Sequence, residues 1–398
     1  MAKRYCENWL DTYIEYTATQ ESPEVFHLWT ALSVLAATVG RKVKLYKGHF
    51  DKFANLYVVL IAGSGRMRKS TALKMGQHIY DITFPEYAVF EEKATIESLI
   101  SAMHLRYKET DNSDIFIVAD EFNTLIGRSK QDQSLISHLT KFYDCPDRTG
   151  SRTITRGYEE CLNVCCNMLA STTPHWLRLS LPADVIGGGF TSRIIFVYQE
   201  TTDRCNPFPV KPDNWEDLEF KLVEDLRSIG QVKGTAQFTD EALKWYDHWY
   251  RTFDKADMCD DLLMGYFSRR HDYLCKVALL ISMAKNNDLV VDLPELKVAD
   301  KLINAQEQWL PKIMQMLQTN VVGEATSLVL NIIAKQGKIV HSSLMRRVSF
   351  KLSGQELSIV LHTLEQANLI HVGEVNGKMF YTLVDLKKEA RENAERQR

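Results

Sequence analysis

"AGSGRMRKST" (62–71) decides how this chain folds, and one of its letters is out of place. The phosphate-binding pattern G-x-x-x-x-G-K-[ST], counted from Gly63, finds Lys69 and Ser70 where it needs them. It finds Arg68 where it asks for a second glycine. Phosphates are gripped by converging backbone N–H groups, a lysine charge and a hydroxyl for magnesium, all at a helix N-terminus. The apolar run "NLYVVLIAG" (55–63) reads as a buried parallel strand, and "STALKMGQHIYDI" reads as the helix that follows. Position 68 lies where the chain enters that helix, so no positive φ is expected of it, and its side chain can point outward or along the phosphates. The expected nucleotide-binding residues are Gly63, Ser64, Gly65, Arg68, Lys69, Ser70 and Thr71, with Ser70 as a magnesium ligand. An ordinary Gly/Ser turn would give no reason for K-S-T immediately before a helix.

A second apolar run, "DIFIVADEF" (114–122), ends in two carboxylates. Asp120 is expected to hold Mg²⁺ and Glu121 to polarise the attacking water. Paired acids after an apolar strand are often a solvated edge. Downstream of a phosphate loop they carry more meaning, because ligands gather at the C-terminal ends of parallel strands. "CLNVCCNMLASTTP" (161–174) and "SRIIFVYQE" (192–200) complete the alternation of strands and helices, which implies a parallel α/β sheet with crossover helices. A polar side chain at the tip of the first of these runs would sit between glutamate and γ-phosphate. Thr172 and Thr173 are the candidates, ahead of Asn167, which lies deeper in the strand.

The chain has 398 residues, 45% hydrophobic and 25% charged, which suits two or three globular domains. No apolar run approaches the roughly eighteen residues of a membrane span, and "MAKRYCENWLDTYIEY" has no secretory core. The eight cysteines contain no C-x-x-C pair and read as reduced thiols. The net charge of −3 means that any nucleic-acid contact must come from local basic patches.

The expected division is an N-terminal helical region (1–50), a P-loop core (51–205), a helical lid (206–320), a winged helix (321–385) and a charged tail (386–398). The boundary after the core rests on the proline-rich "CNPFPVKPDNW" (205–215). The winged helix rests on three helical segments followed by strands around Asn376-Gly377, a hairpin signal. Its third helix, "GQELSIVLHTLEQA", is not basic, which argues against groove reading.

"GGGFTSRIIFVYQE" (187–200) resembles the segment of AAA+ ATPases, notably minichromosome-maintenance helicases, in which a serine-arginine pair precedes a strand. "FHLWTALS", "NLYVVLIAG", "RKST" and "STTP" are similar to segments of phage and plasmid replication ATPases. The resemblance covers residues 23–200 well and reaches 317 loosely. It implies a ring, a hexamer, in which Arg193 enters the neighbouring subunit's site, and it implies that R-K-S-T is tolerated. It also implies a lid arginine on the γ-phosphate, in cis or in trans, and "YFSRRHDYLCKVALLISMA" offers Arg269 or Arg270. A hairpin before the sensor strand lines the channel in such helicases. "DCPDRTGSRTITRGYEE" places Arg148, Arg152 and Arg156 at four-residue spacing around a supposed Gly150 turn, on one face.

The implied protein is an ATP- and Mg²⁺-dependent, DNA-binding motor, a replicative helicase of a phage or mobile element. It would act on single-stranded DNA in the cytoplasm of a bacterial cell, with a replication protein as a possible partner. The main competing reading is a non-translocating, ATP-switched loader or recruiter that docks a partner through its winged helix. A remodeller of protein substrates fits less well, since its pore loop would be aromatic and apolar rather than arginine-bearing.

Overall fold

The computed structural model describes residues 3–65, 67–87, 90–91, 95–127, 130–153, 157–181, 185, 187–202, 204–253, 261–318, 321–349, 352–375 and 377–384. They form two compact units, Met1–Leu317 and Gln318–Arg398.

The larger unit is α/β. Its central sheet has the strand order Phe90–Glu91, Ser113–Ala119, Val164–Thr172, Tyr57–Ile61, Ile194–Tyr198, parallel throughout. The sequence YVVLI is buried at every position, as a strand covered on both faces must be. Helix Glu24–Val39 is apolar nearly all round and lies in the core against the sheet. Helix Lys69–Thr83 crosses it closely at Gly76, where an added Cβ would lie 2.2 Å from Thr30 Cγ2. The N-terminal segment is tied to helix Trp215–Gly230 through buried Asp225, which accepts from Arg4 Nε (2.7 Å), Tyr5 N and Cys6 N.

A second sheet departs from the helical expectation for residues 1–50 and 215–317. It has four strands, in the order Val290–Val291, Gly234–Phe238, Val43–Lys47, Phe50–Phe53. The alternation Val43, Leu45 beyond the helix stop at Gly40 is the strand pattern that a helical reading passes over, and it buries both residues. Strand Val43–Lys47 pairs in parallel with Gly234–Phe238. The segments expected as N-terminal region and lid therefore share a sheet, and both belong to the same compact unit as the core.

The smaller unit contains helices Val321–Gln336, His341–Val348 and Gly354–Gln366 and an antiparallel sheet ordered Lys338–Val340, Lys378–Leu383, Ile370–Val375. Val329, Ile333, Leu344, Leu357, Val360 and Leu364 form its core. Ser353 and Glu356 cap the third helix reciprocally. Val375 pairs with Lys378, leaving a two-residue connection in which Gly377 takes φ +72°. Asn376 and the tail 386–398 lie outside the described residues.

His27 is fully buried on helix Glu24–Val39, and neither ring nitrogen has a hydrogen-bond partner among the described residues. Burial, with a smaller contribution from Arg204, lowers its pKa from 6.5 to about 3. The unfolded chain therefore binds a proton that the folded chain refuses, and stability falls as pH drops below 6.5. We predict that His27→Leu removes this dependence. Its unfolding free energy relative to the native protein should rise by ~2 kcal/mol between pH 6.5 and 5, measured by urea titration. An unchanged difference would contradict the assignment.

Candidate active site

Gly63, Ser64 and Gly65 are exposed just beyond the Tyr57–Ile61 strand, and Gly65 needs its freedom for φ +78°. Lys69 opens the next helix and folds back over the loop, Nζ donating to Ala62 O (2.9 Å) and Gly63 O (3.3 Å). Burial lowers its pKa, against the opposing fields of Glu121 and Asp120. Ser70 and Thr71 are half-buried on the first turn.

Arg68 corrects one expectation. It is the cap of helix Lys69–Thr83 and lies in the left-handed region, φ 43°, ψ 40°. The position does demand a positive φ, which costs a side-chain-bearing residue ~1–2 kcal/mol because Cβ crowds the carbonyl. The side chain reaches Glu21, Nε donating to Glu21 Oε2 (3.1 Å).

Asp120 and Glu121 follow the Ser113–Ala119 strand, and Glu121 occupies the N-cap position of helix Phe122–Ile126 without a side-chain capping bond. The Val164–Thr172 strand lies between this acid strand and Tyr57–Ile61, so its tip separates carboxylates from loop. Ser171, which the sequence reading overlooks, holds the acid turn: its Oγ donates to Asp120 O (2.5 Å) and sits 3.3 Å from Asp120 Oδ1. Thr172 is buried, with Oγ1 3.4 Å from Thr173 O. Thr173 caps helix Pro174–Ser180, accepting from Trp176 N, so its hydroxyl proton remains available to a ligand. Asn167 is structural, with Oδ1 accepting from Leu56 N. The Ser70 hydroxyl and Asp120 carboxylate are hard oxygen donors of the kind Mg²⁺ takes. A cavity of about 420 Å³ lies on the carboxylate side, lined by Asp120, Glu121, Lys74, Gln77 and Thr124. A larger one, about 840 Å³, is lined by Lys42, Arg106 and Asp114. Asp114 belongs to the start of the acid strand, the end away from Asp120 and Glu121.

Arg193 stands at the opposite end of the sheet. It precedes Ile194, which pairs with Tyr57, whereas the loop follows Ile61. The four steps between are ~13 Å of strand, so Arg193 lies far from the loop of its own chain. Its side chain is buried, with Nη2 on Asp144 Oδ2 and Nη1 on Gly189 O. Arg269 shares that carboxylate, Nη1 lying 3.6 Å from Asp144 Oδ1. Arg270 is committed elsewhere: Nε donates to both Glu307 oxygens (2.7 and 2.8 Å) and Nη2 to Asp300, with the guanidinium over Trp249 and Phe253. Of the two lid candidates, Arg269 alone remains partly accessible.

The expected arginine hairpin exists, but its turn is not at Gly150. Strands Arg148–Thr153 and Gly157–Leu162 pair antiparallel, and Gly150 sits mid-strand opposite Glu160. Arg148 and Arg152 share strand parity with Gly150. Arg148 is paired with Glu160 (2.5 Å), and exposed Tyr158 is in register with Arg152. Arg156 lies outside the described residues.

No family model and no curated protein matches this chain. Among solved structures it is similar to a full-length MCM homologue from Methanopyrus kandleri, at 15% identity and a TM-score of 0.44, over 75% of this chain and 58% of that one. The chain thus spans less than two thirds of that protein's length. Among the described residues, no helix is long and apolar enough to cross a membrane.

The two adjacent arginines should separate in stability. Arg270→Ala strands the buried Glu307 carboxylate and should cost ~3–5 kcal/mol. Arg269→Ala breaks only a long, partly exposed contact and should cost under ~1 kcal/mol. Chemical denaturation measures both, and equal effects would refute the division of roles.

Proposed function

We propose that this chain is an AAA+-type ATPase that assembles into a homo-oligomeric ring and moves along single-stranded DNA, as a replicative helicase of a phage or mobile element. One observation carries the reading. Lys69, the Asp120–Glu121 pair and the Ser171–Thr173 strand tip meet at one end of a parallel sheet, while Arg193 lies at the other end. Such a site is half a site. Hydrolysis needs a cation on the transferring phosphoryl from a second copy.

In this mechanism the loop N–H groups and Lys69 cradle the phosphates. Ser70 and Asp120 would hold Mg²⁺, which would supply positive charge against the phosphates. Glu121 polarises the attacking water, and Thr173 reaches from the strand tip towards the γ-phosphate. Ser171 fixes the acid turn so that these groups keep their spacing. Arg193 leaves Asp144 to enter the neighbour's site, and Arg269, on the same carboxylate, is carried to the same interface. The face bearing Arg148 and Arg152, with Tyr158 beside them, suits a phosphate backbone with stacked bases.

The ATP-switched loader remains the second reading, favoured by the smaller unit. Helix Gly354–Gln366 is not basic, and Ile359, Leu369, Met379 and Leu383 leave apolar surface exposed, which suits a protein partner better than DNA.

Three variants test the ATPase reading in ATP-binding and turnover assays. Lys69→Ala should lose Mg–ATP binding, and undiminished affinity would remove the phosphate-loop assignment. Glu121→Gln should bind ATP with turnover nearly abolished, whereas equal loss of both would make Glu121 structural. Arg193→Ala should keep ATP affinity while turnover drops by ~10³-fold or more. Mixing it with Lys69→Ala subunits should restore part of the rate, since one interface then pairs an intact loop with an intact finger. For DNA, Arg148→Ala with Arg152→Ala should flatten the salt dependence of binding, because each lost phosphate contact releases fewer counterions. An unchanged slope would take the hairpin out of the DNA path.

A further inference from the structure

We propose that Glu21 and Ser22 are positioning residues for the phosphate loop, holding Arg68 in the left-handed conformation that a glycine would adopt unaided. Non-glycine residues persist there only where their surroundings fix them. Ser22 is fully buried, and its Oγ donates to Arg68 O at 2.9 Å. That same carbonyl begins the helix, accepting from Thr71 N (3.0 Å) and Ala72 N (3.3 Å). The Ser22 hydroxyl therefore sets the plane of the peptide that joins Arg68 to Lys69. Glu21 acts on the side chain: Oε2 accepts from Arg68 Nε at 3.1 Å and holds the guanidinium against residues 19–24.

The support is itself anchored. Glu21 Oε1 accepts from Asn206 N (3.3 Å), Glu21 O from Thr202 Oγ1 (3.2 Å), and Thr19 O from Asn206 Nδ2 (3.0 Å). Arg204 Nη2 donates to Glu24 (2.9 Å). Residues 19–24 are thus fixed to the segment leaving the Ile194–Tyr198 strand, the P-loop strand's neighbour in the sheet. Because residue 68 immediately precedes Lys69, its backbone sets where that lysine and the first helical N–H groups point. The departure from the glycine pattern is matched by a brace about 46 residues upstream.

The inference rests on the nucleotide reading of this loop, and the test keeps the two apart. Glu21→Ala and Ser22→Ala are each made in the full chain, alone and combined with Arg68→Gly. Two quantities are read: the thermal unfolding midpoint without nucleotide, and the Kd for Mg–ATP. A glycine needs no brace, so each change should weaken ATP binding about fivefold in the native background and less than twofold beside Arg68→Gly. The midpoint should fall further in the native background than beside Arg68→Gly, where only the bonds of Ser22 to the residue-68 carbonyl and of Glu21 to Asn206 are lost. Equal losses in both backgrounds would overturn the proposal, since Glu21 and Ser22 would then not act through Arg68. Should Ser22→Ala fail to fold, Glu21→Gln serves in its place, as it keeps an acceptor for Asn206 and loses the charge. If Lys69→Ala leaves the ATP Kd unchanged, the nucleotide reading fails, and the thermal cycle still decides whether the brace acts through Arg68.

Discussion

Tyr57–Ile61 is hydrogen-bonded along both edges, to Val164–Thr172 and to Ile194–Tyr198, and that pairing fixes which residues can share a site. All three strands run the same way, so the tips collect the phosphate loop, Ser171, Thr172 and Thr173, while the base collects Arg193. Neither set can slide towards the other, because a slip would break the ladder and repack two close-packed faces at once. On the proposed reading, a sheet built this way holds a nucleotide at its tips and keeps Arg193 at the other end. That separation is why the account needs a second copy of the chain.

The base of the sheet has its own electrostatic logic. Arg193 is buried and would be costly without a partner, and Asp144 supplies one while sharing its other oxygen with Arg269. Lys276 lies nearby, buried and hydrogen-bonded to Asn55, its pKa lowered to about 8 by burial. Arg270 differs from its neighbour because Glu307 and Asp300 surround it. Adjacent residues of one type thus have different roles, decided by which acids the fold brings to them.

The central sheet is legible in the sequence because each of its longer strands is a short apolar run ending in punctuation: Gly63, Asp120, Pro174, Glu200. The second sheet is not, since its strands are short and one lies just past a helix stop, where period-two alternation is brief. The hairpin is foreseen but its turn is misplaced, because Gly150 reads as a turn residue while it sits opposite Glu160. Of the site, Lys69 and the acid pair follow from local motifs. Ser171 is hidden only by its neighbours Thr172 and Thr173. Asp144, Glu21 and Ser22 leave no local trace: their partners are 46 to 49 residues away, and contacts at that distance come from tertiary packing alone.

The central claim is that one chain holds the nucleotide and another completes its chemistry. ATP turnover per subunit, followed over a dilution series with light scattering on the same samples, tests this most directly. The account predicts that turnover per subunit falls as the scattering mass falls to that of one chain, while ATP affinity holds. Constant turnover down to concentrations at which only single chains remain would contradict it.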